Sequence, residues 1–266
     1  MLRFTWLTLA IACTLCAQEA ARPHASMRVA VECSQDDVRA LGLTCPAARP
    51  CPVYLELSAI ESAGSELFIT GNLHADEATL FSILLASDDG GATWKEPAER
   101  IRGAGLDLVQ FLDSETGWAS GESLGAIPRD PFLLLTHDGG KTWEPRPVFA
   151  ETRAGTIDYF RFDSKTHGSL WIGRRLSGEP GSRYESYESQ DGGQTWTLRD
   201  SSDKPFPKAS RPAGDYRLRA DRATSTYRVE RRAPTGWHTV ASFLVRAGEC
   251  REPEFATPPE AEETQP

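Results

Sequence analysis

An eight-residue pattern occurs three times in this chain and constrains its fold more than any other feature. The pattern is Ser/Thr-x-Asp-Gly-Gly-x-Thr-Trp. Its copies lie about fifty residues apart, a period typical of bladed or arrayed repeat proteins rather than of one irregular domain. The residues expected to have a structural role are Ser87, Asp89, Gly90, Gly91, Thr93 and Trp94, then Thr136, Asp138, Gly139, Gly140, Thr142 and Trp143, then Ser189, Asp191, Gly192, Gly193, Thr195 and Trp196.

The chemistry of the pattern predicts a hairpin turn followed by a strand. Two successive glycines supply the positive φ that a tight turn requires. The aspartate side chain accepts hydrogen bonds from backbone amides in such turns, and the threonine and tryptophan that follow are favoured in strands. We prefer this structural role to metal binding, because no copy supplies the several staggered oxygen ligands of a calcium loop.

The pattern resembles the Asp box, also called the bacterial neuraminidase repeat. In that family the box forms the turn between the third and fourth strands of a propeller blade, away from the central channel. A second motif, Phe-x-Asp-x-x-x-Gly-Trp-x-x-Gly over 111–121, precedes the second box, and a looser copy spans 162–173. The combination is similar to the photosystem II assembly-factor and sortilin-like group. This resemblance covers residues 53–200 and implies a fold more strongly than a function.

The strand patterns predict an all-β fold, a small β-propeller of four blades. Three blades contain one box each, and strand-like segments over 216–220, 227–230 and 236–245 predict a degenerate fourth blade without a box. We expect its missing strand to come from 27–32, so that strands from both chain ends close the ring and leave no open sheet edge. Ser34, with an acidic residue three positions later, predicts a short helix over 34–41.

The chain ends predict an exported protein. Residues 1–17 combine Arg3, a short apolar run and a small-residue cleavage site, as secretory signal peptides do. The run is too short to cross a bilayer, and a lipoprotein anchor at Cys13 is the alternative. We expect a strand, helix and cysteine-containing connection over 18–52, the propeller over 53–250, and a disordered acidic tail over 251–266. The predicted location is periplasmic or secreted, with no transmembrane segment.

Four cysteines remain after the predicted signal peptide, and an even number in an oxidising compartment predicts disulfides. We expect Cys45 to pair with Cys51, because they bracket a short Pro-rich loop whose closure costs little entropy. Cys33 is then expected to pair with Cys250 and to tie the N-terminal strand to the last strand. The alternative pairs Cys33 with Cys45 and Cys51 with Cys250. The absence of a Cys-x-x-Cys pair disfavours zinc.

The net charge of −9 disfavours nucleic acid as a partner. A sialidase-like site resembles three arginines, a Tyr-Glu nucleophile pair and an acidic proton donor. The pairs Tyr184-Glu185 and Tyr187-Glu188 are present, but they lie in a predicted outer strand that leads into the third box. We therefore assign no catalytic, cofactor-binding or metal-binding residue, and we expect no cofactor.

Arginines concentrate in the predicted fourth blade of this acidic chain. They indicate either a patch that docks an acidic partner or a set of solvated edge residues. The first functional hypothesis is an exported, non-enzymatic propeller that binds another protein as an assembly or scaffolding factor. The alternative is a glycan-binding protein or a sialidase-like glycoside hydrolase. The residues of the possible partner patch are Arg217, Arg219, Arg228, Arg231 and Arg232.

Overall fold

The computed structural model describes residues 25–174, 183–207 and 214–251. The predicted signal peptide and all of the acidic tail beyond Arg251 lie outside these residues. Among the described residues there is one helix, α1, Gln35–Ala40, and there are fifteen strands. The strands are β1 Cys51–Ala63, β2 Glu66–His74, β3 Thr79–Ser87, β4 Ala104–Phe111, β5 Gly117–Leu124, β6 Pro128–Thr136, β7 Glu144–Pro147, β8 Thr156–Phe162, β9 Gly168–Gly173, β10 Tyr184–Ser189, β11 Thr197–Ser202, β12 Tyr216–Asp221, β13 Thr226–Ala233, β14 Gly236–Leu244 and β15 Arg246–Cys250.

The strands form four antiparallel sheets, which are the four blades of a small β-propeller. Their strand orders are β15-β1-β2-β3, β4-β5-β6-β7, β8-β9-β10-β11 and β12-β13-β14. The short helix begins where the sequence predicts, because Ser34 and Asp37 form a capping box in which each side chain bonds to the other's backbone amide. Among the described residues no helix has the length and apolar character needed to cross a membrane.

The first strands of blades one to three share a bulge, which in blades one and two explains a glycine in the second strand. The ladders shift register at Ser58, Asp107 and Asp158, one residue in each of β1, β4 and β8. The bulged backbone approaches the neighbouring strand closely. A Cβ atom at Gly121 would overlap the carbonyl oxygen of Gly105. The glycine that closes the Phe-x-Asp-x-x-x-Gly-Trp-x-x-Gly motif is therefore required by backbone contact, not by a ligand.

Three buried apolar clusters hold the blades together. One joins blade one to blade four and to the N-terminal segment, the second lies between blades one and two, and the third between blades two and three. In the third, Trp118 stacks on Phe162 with ring centres 3.8 Å apart, and its Nε1 donates to the Gly192 carbonyl at 3.0 Å. Within the described residues no such cluster joins blades three and four. The fourth blade is thus anchored mainly on the first.

The fourth blade also runs in the opposite direction to the others. A cavity of about 570 Å³, which we call the channel mouth, is lined by the last residues of β1, β4 and β8 but by the first residues of β12. At the other end, the Leu55 amide near the start of β1 donates to Val245. The Val245 amide in turn donates to Ser225, in the turn that follows β12. The fourth sheet is therefore an inverted blade rather than a fourth copy of the repeat.

Closure of the ring differs in detail from the sequence expectation. The strand predicted over 27–32 is not formed: Met27 alone makes a parallel bridge to Phe243 of β14. The segment then leaves β14, because Val31 packs against Gly248 of β15 and Cys33 is bonded to Cys250. The final strand, β15, pairs with β1 rather than within blade four.

Two disulfides join the cysteines in the pairing that we expect from the sequence. Cys33 is bonded to Cys250 with Cα atoms 5.2 Å apart, and Cys45 to Cys51 with Cα atoms 5.1 Å apart. Since Cys250 lies opposite Cys51 in the β15–β1 ladder, both bridges fix the same corner of the ring. Disulfides of this kind indicate an oxidising compartment.

Blade one lacks the fourth strand predicted after its box. The chain beyond Trp94 makes only two isolated bridges to β3, between Ala86 and Lys95 and between Phe81 and Arg102. Pro97 has no amide hydrogen to continue a ladder. The outer edge of this blade is therefore covered by a loop instead of a strand.

Candidate binding face

The Asp-box carboxylates are engaged within their own turns. Asp138 Oδ1 accepts the Thr142 amide at 3.0 Å, and Oδ2 accepts the Thr142 hydroxyl at 2.6 Å. Asp89 receives the same two bonds from Thr93. Hydrogen bonds from the threonine side chain and amide lower the pKa of Asp89 and of Asp138 to about 2. These groups are ionised and already have their donors, so the geometry favours a turn-stabilising role.

The box tryptophans and glycines extend the same bonding. Trp94 Nε1 donates to Gly91, and Trp143 Nε1 to Gly140, each at 3.0 Å. In the third copy, the Trp196 Nε1 has no hydrogen-bond partner among the described residues. The Gly139 amide donates to Glu115 in the turn between the first two strands of blade two. The second box, which follows β6, therefore lies at the same end of its blade as the turn between β4 and β5.

The two Tyr-Glu pairs considered for glycoside hydrolysis, Tyr184-Glu185 and Tyr187-Glu188, are divided by the alternation of β10: Glu185 and Tyr187 are buried, whereas Glu188 is exposed. Tyr187 donates its hydroxyl hydrogen to Glu185 at 2.7 Å. Arg153 bonds to both, at 2.8 Å to the phenol oxygen and 3.0 Å to the carboxylate. Tyr187 belongs to the core between blades two and three, and burial raises its pKa to about 12. A phenol that remains protonated and a carboxylate neutralised by arginine form a structural contact, not an activated nucleophile.

Blade four presents the arginines of the predicted patch on one surface. Leu218 of β12 and Val229 of β13 face blade one in the first core cluster. Because side chains alternate along a strand, their neighbours point to the opposite side of the sheet. We call this side the arginine face, and its charged residues are Arg217, Arg219, Asp221, Arg228, Glu230 and Arg232.

The arginine face has an excess of positive charge. Arg217 Nε donates to Glu230 at 2.7 Å, and Arg228 forms an ion pair with Asp221. Two carboxylates therefore serve four guanidinium groups. Arg219 lies directly opposite Arg228 in the β12–β13 ladder, a like-charge arrangement that opposes folding. Because these like charges do not stabilise the sheet, their presence favours a role in binding a negatively charged partner.

An aromatic residue that the sequence analysis does not assign completes the face. Trp237 of β14 lies opposite Arg232, with the Arg217 and Arg232 guanidinium carbons 4.2 Å and 5.1 Å from its ring centre. Cation–π contacts of this kind fix the planes of the guanidinium groups. Arg231, the fifth residue of the predicted patch, lies instead over Tyr216 at 5.9 Å, on the side towards blade one. The structure thus brings together four of the five predicted arginines and adds Trp237.

A separate cleft lies between blades one and two, with a volume of about 780 Å³. The turns between β2 and β3 and between β5 and β6 form its rim, and α1 supplies part of one wall. Within the described residues, no group of three or more His, Cys, Asp or Glu side chains is arranged to hold a metal ion. The arginine face and this cleft are the two polar surfaces that we consider for binding.

Comparisons with known proteins match the repeat and find similar solved structures. The BNR/Asp-box repeat model matches residues 134–145 and 187–198, and no curated protein sequence matches the chain. Similar solved structures include YCF48 bound to D1 peptide, at 16% identity and a TM-score of 0.41, covering 71% of this chain and 54% of that chain. YCF48 from Cyanidioschyzon merolae, at 16% identity and a TM-score of 0.36, covers 65% of this chain and 47% of its own.

A glycoside hydrolase is also among the similar structures. The GH43_1 enzyme from Xanthomonas citri complexed with xylose has 12% identity and a TM-score of 0.38, covering 79% of this chain and 80% of that chain. The present chain spans about half the length of the two YCF48 chains. This chain therefore contains two matched Asp-box repeats within a small β-propeller of four sheets.

Proposed function

We propose that this protein is an exported, non-enzymatic binding module whose arginine face docks an acidic segment of another protein. The observation that carries the proposal is the excess of guanidinium groups on one exposed sheet face of a chain whose net charge is −9. A local positive field on an acidic protein attracts an acidic partner and orients it during the encounter.

The composition of the arginine face suits a protein interface. Arginine and tryptophan are the residue types most often found at the energetic centres of such interfaces. Arg217 and Arg228 keep side-chain exposures of 42% and 37% although both are paired. Their guanidinium groups therefore retain donors for a further carboxylate. The contacts of Arg217 and Arg232 with Trp237 reduce the side-chain entropy lost on binding.

Export is part of the proposal and is supported by the two disulfides, which are stable in an oxidising compartment. Residues 1–17 would act as the signal peptide, leaving 53–250 as the propeller and 251–266 as an acidic tail. Amino-terminal sequencing of the protein recovered from an expressing cell's envelope or medium would test this. A mature chain that begins after residue 17 is expected.

The binding proposal is tested with a fluorescent hexaglutamate peptide and charge-reversal variants. Arg219→Glu and Arg232→Glu are suited, because neither side chain is in an ion pair within the described contacts. Each change should weaken binding about tenfold or more, the scale of one lost charge-assisted contact. Arg49→Glu, an exposed residue of the N-terminal connection, makes the same charge change elsewhere and should have little effect. Equal losses in all three variants would contradict the proposal.

Glycan binding is the second candidate, and one cluster of aromatic residues favours it. Trp171 of β9 stacks on Tyr159 with ring centres 4.2 Å apart, and Phe206 lies 5.7 Å away. Their neighbours Phe160 and Ile172 face the core between blades two and three, so this aromatic stack is on the side of blade three away from blade two. Aromatic faces can hold sugar rings by apolar contact. A glycan array on the protein and on Trp171→Ala would separate the candidates: array binding that Trp171→Ala abolishes, with no hexaglutamate binding, would favour this one.

A further inference from the structure

The geometry points to a second binding site, in the cleft between blades one and two, that accepts a cationic side chain such as the ammonium group of lysine. This cleft and the arginine face are built from different residues and attract ligands of opposite charge. The site is therefore independent of the proposed docking of an acidic segment.

The charges that line the cleft do not cancel. Its acidic residues are Glu56 of β1 and Asp76 and Glu77 of the β2–β3 turn, all three exposed. Within the described contacts none of these carboxylates forms an ion pair. Exposed carboxylates are usually hydrated by solvent, so their charge alone does not define a binding site.

The two arginines of the cleft are each held by an aspartate outside its lining. Arg102 bonds to Asp37 of α1 at 2.7 Å, and Arg129 lies 3.8 Å from Asp130. The positive charges of Arg102 and Arg129 are therefore offset by Asp37 and Asp130 and do not balance the carboxylates of the cleft. His74, the remaining titratable lining residue, has its Nδ1 within 3.2 Å of the Ala75 carbonyl. The balance inside the cleft is negative, which favours a cation.

Asn72 supplies an independent indication of a ligand. Asn72 is one of the residues that line the cleft, yet it is only 6% exposed. Its Nδ2 donates to the Glu56 carboxylate at 3.2 Å. A carboxylate only accepts hydrogen bonds, so the amide nitrogen must point to it. This orientation leaves the Asn72 Oδ1 buried without a hydrogen-bond partner among the described residues, an unfavourable state that a donor would relieve.

The Glu56 carboxylate and the Asn72 amide oxygen are both hydrogen-bond acceptors. A lysine ammonium has three donors and no acceptor, which complements a carboxylate beside an amide oxygen. Gly105 of blade two lies next to Asn72, where a Cβ atom would be 3.8 Å from its Nδ2. A Cβ atom there would also come within 2.9 Å of the side chain of Leu124, which lines the cleft. The ligand class that fits is a basic side chain carried by a peptide.

The test is an NMR titration of the full chain with an N-acetylated tetralysine amide. The side-chain amide signals of Asn72 should shift on binding, and Glu56→Gln should weaken binding about tenfold because one charge-assisted contact is lost. Gln at position 56 can still accept from Asn72, and the residue is exposed, so the variant should fold. The matched control is Glu115→Gln, which removes the same charge from an exposed turn on the Asp-box side.

Each outcome decides the matter. A large effect of Glu56→Gln with little effect of Glu115→Gln, and a shift of the Asn72 amide, supports the site. Equal weakening by both substitutions, or shifts confined to other acidic surfaces, would show that the peptide responds only to net charge and would overturn the inference. A second variant, Asp76→Asn with Glu77→Gln, changes the rim without touching Asn72 and should weaken binding without abolishing the Asn72 shift.

Discussion

The two disulfides allow one prediction to be worked out from chain length alone. Cys33 and Cys250 are separated by 217 residues, whereas Cys45 and Cys51 are separated by 6. In the chain-entropy description, a bridge stabilises the fold by restricting the unfolded chain, and the effect grows with the logarithm of loop length. The long loop gives about 5 kcal/mol at 25 °C and the short loop about 2 kcal/mol.

We therefore expect the double variant Cys33→Ala/Cys250→Ala to lose about 3 kcal/mol more stability than Cys45→Ala/Cys51→Ala. The buried cysteines Cys250 and Cys45 are 1% and 0% exposed, so the cavity left by each substitution is similar and largely cancels in the comparison.

Urea unfolding followed by tryptophan fluorescence measures the difference, and peptide mapping without reductant checks the remaining bridge in each variant. The long-loop variant should also show the larger m-value, because its unfolded chain exposes more surface. Equal losses, or a larger loss from the short loop, would refute the view that the N-terminal segment closes the ring through Cys33 and Cys250.

Two further predictions concern the Asp boxes. Asp138→Ala should lower stability by about 1–2 kcal/mol, because the turn loses the bonds from Thr136, Lys141 and Thr142. Asp88→Ala, which removes only the exposed pair with Lys95, should cost less than about 0.5 kcal/mol in the same thermal unfolding assay; equal costs would contradict the turn account. Since the pKa values of Asp89 and Asp138 are lowered to about 2 from an ordinary 3.8, their contribution is complete above pH 4 and is lost as the pH falls towards 2. Unfolding free energies measured from pH 5 to pH 2 should fall less steeply for Asp138→Ala than for the unsubstituted protein, and parallel curves would count against it.

Local features of the fold could be predicted because they depend on short-range chemistry. The Asp-Gly-Gly turns, the strand Tyr184–Ser189 with both its ends, and the helix that Ser34 caps follow from residues near in sequence. The pairing of Cys33 with Cys250 was also predicted, although the N-terminal strand from which it was argued is not formed and β15 pairs with β1 instead.

The orientation of blade four was not accessible in this way. The alternation of apolar and polar residues identifies β12, β13 and β14 as strands, but it is the same for either strand direction. The direction depends on packing against the core shared with blade one. The pairing of β15 with β1 is likewise a contact between residues far apart in sequence. Trp237 escaped assignment because a register shift between Val229 and Glu230 changes which residues of β14 lie beside the arginines.

The cleft between blades one and two shows a similar limit. Glu56, Asn72 and Gly105 are unremarkable in the sequence and come from three different strands of two blades. The ladder places Glu56 opposite Asn72, and the packing of β4 against blade one brings Gly105 beside Asn72. No spacing rule within one segment would have found this constellation.

Photo-crosslinking tests the central claim most directly. A hexaglutamate peptide that carries one benzophenone group would be irradiated with the protein, and the attachment sites would be mapped by mass spectrometry. We expect crosslinks on the outward residues of β12, β13 and β14 around Trp237 and Arg219, and their loss in Arg219→Glu/Arg232→Glu. Crosslinks concentrated at the channel mouth, or on the aromatic stack of Tyr159 and Trp171, would contradict docking through the arginine face.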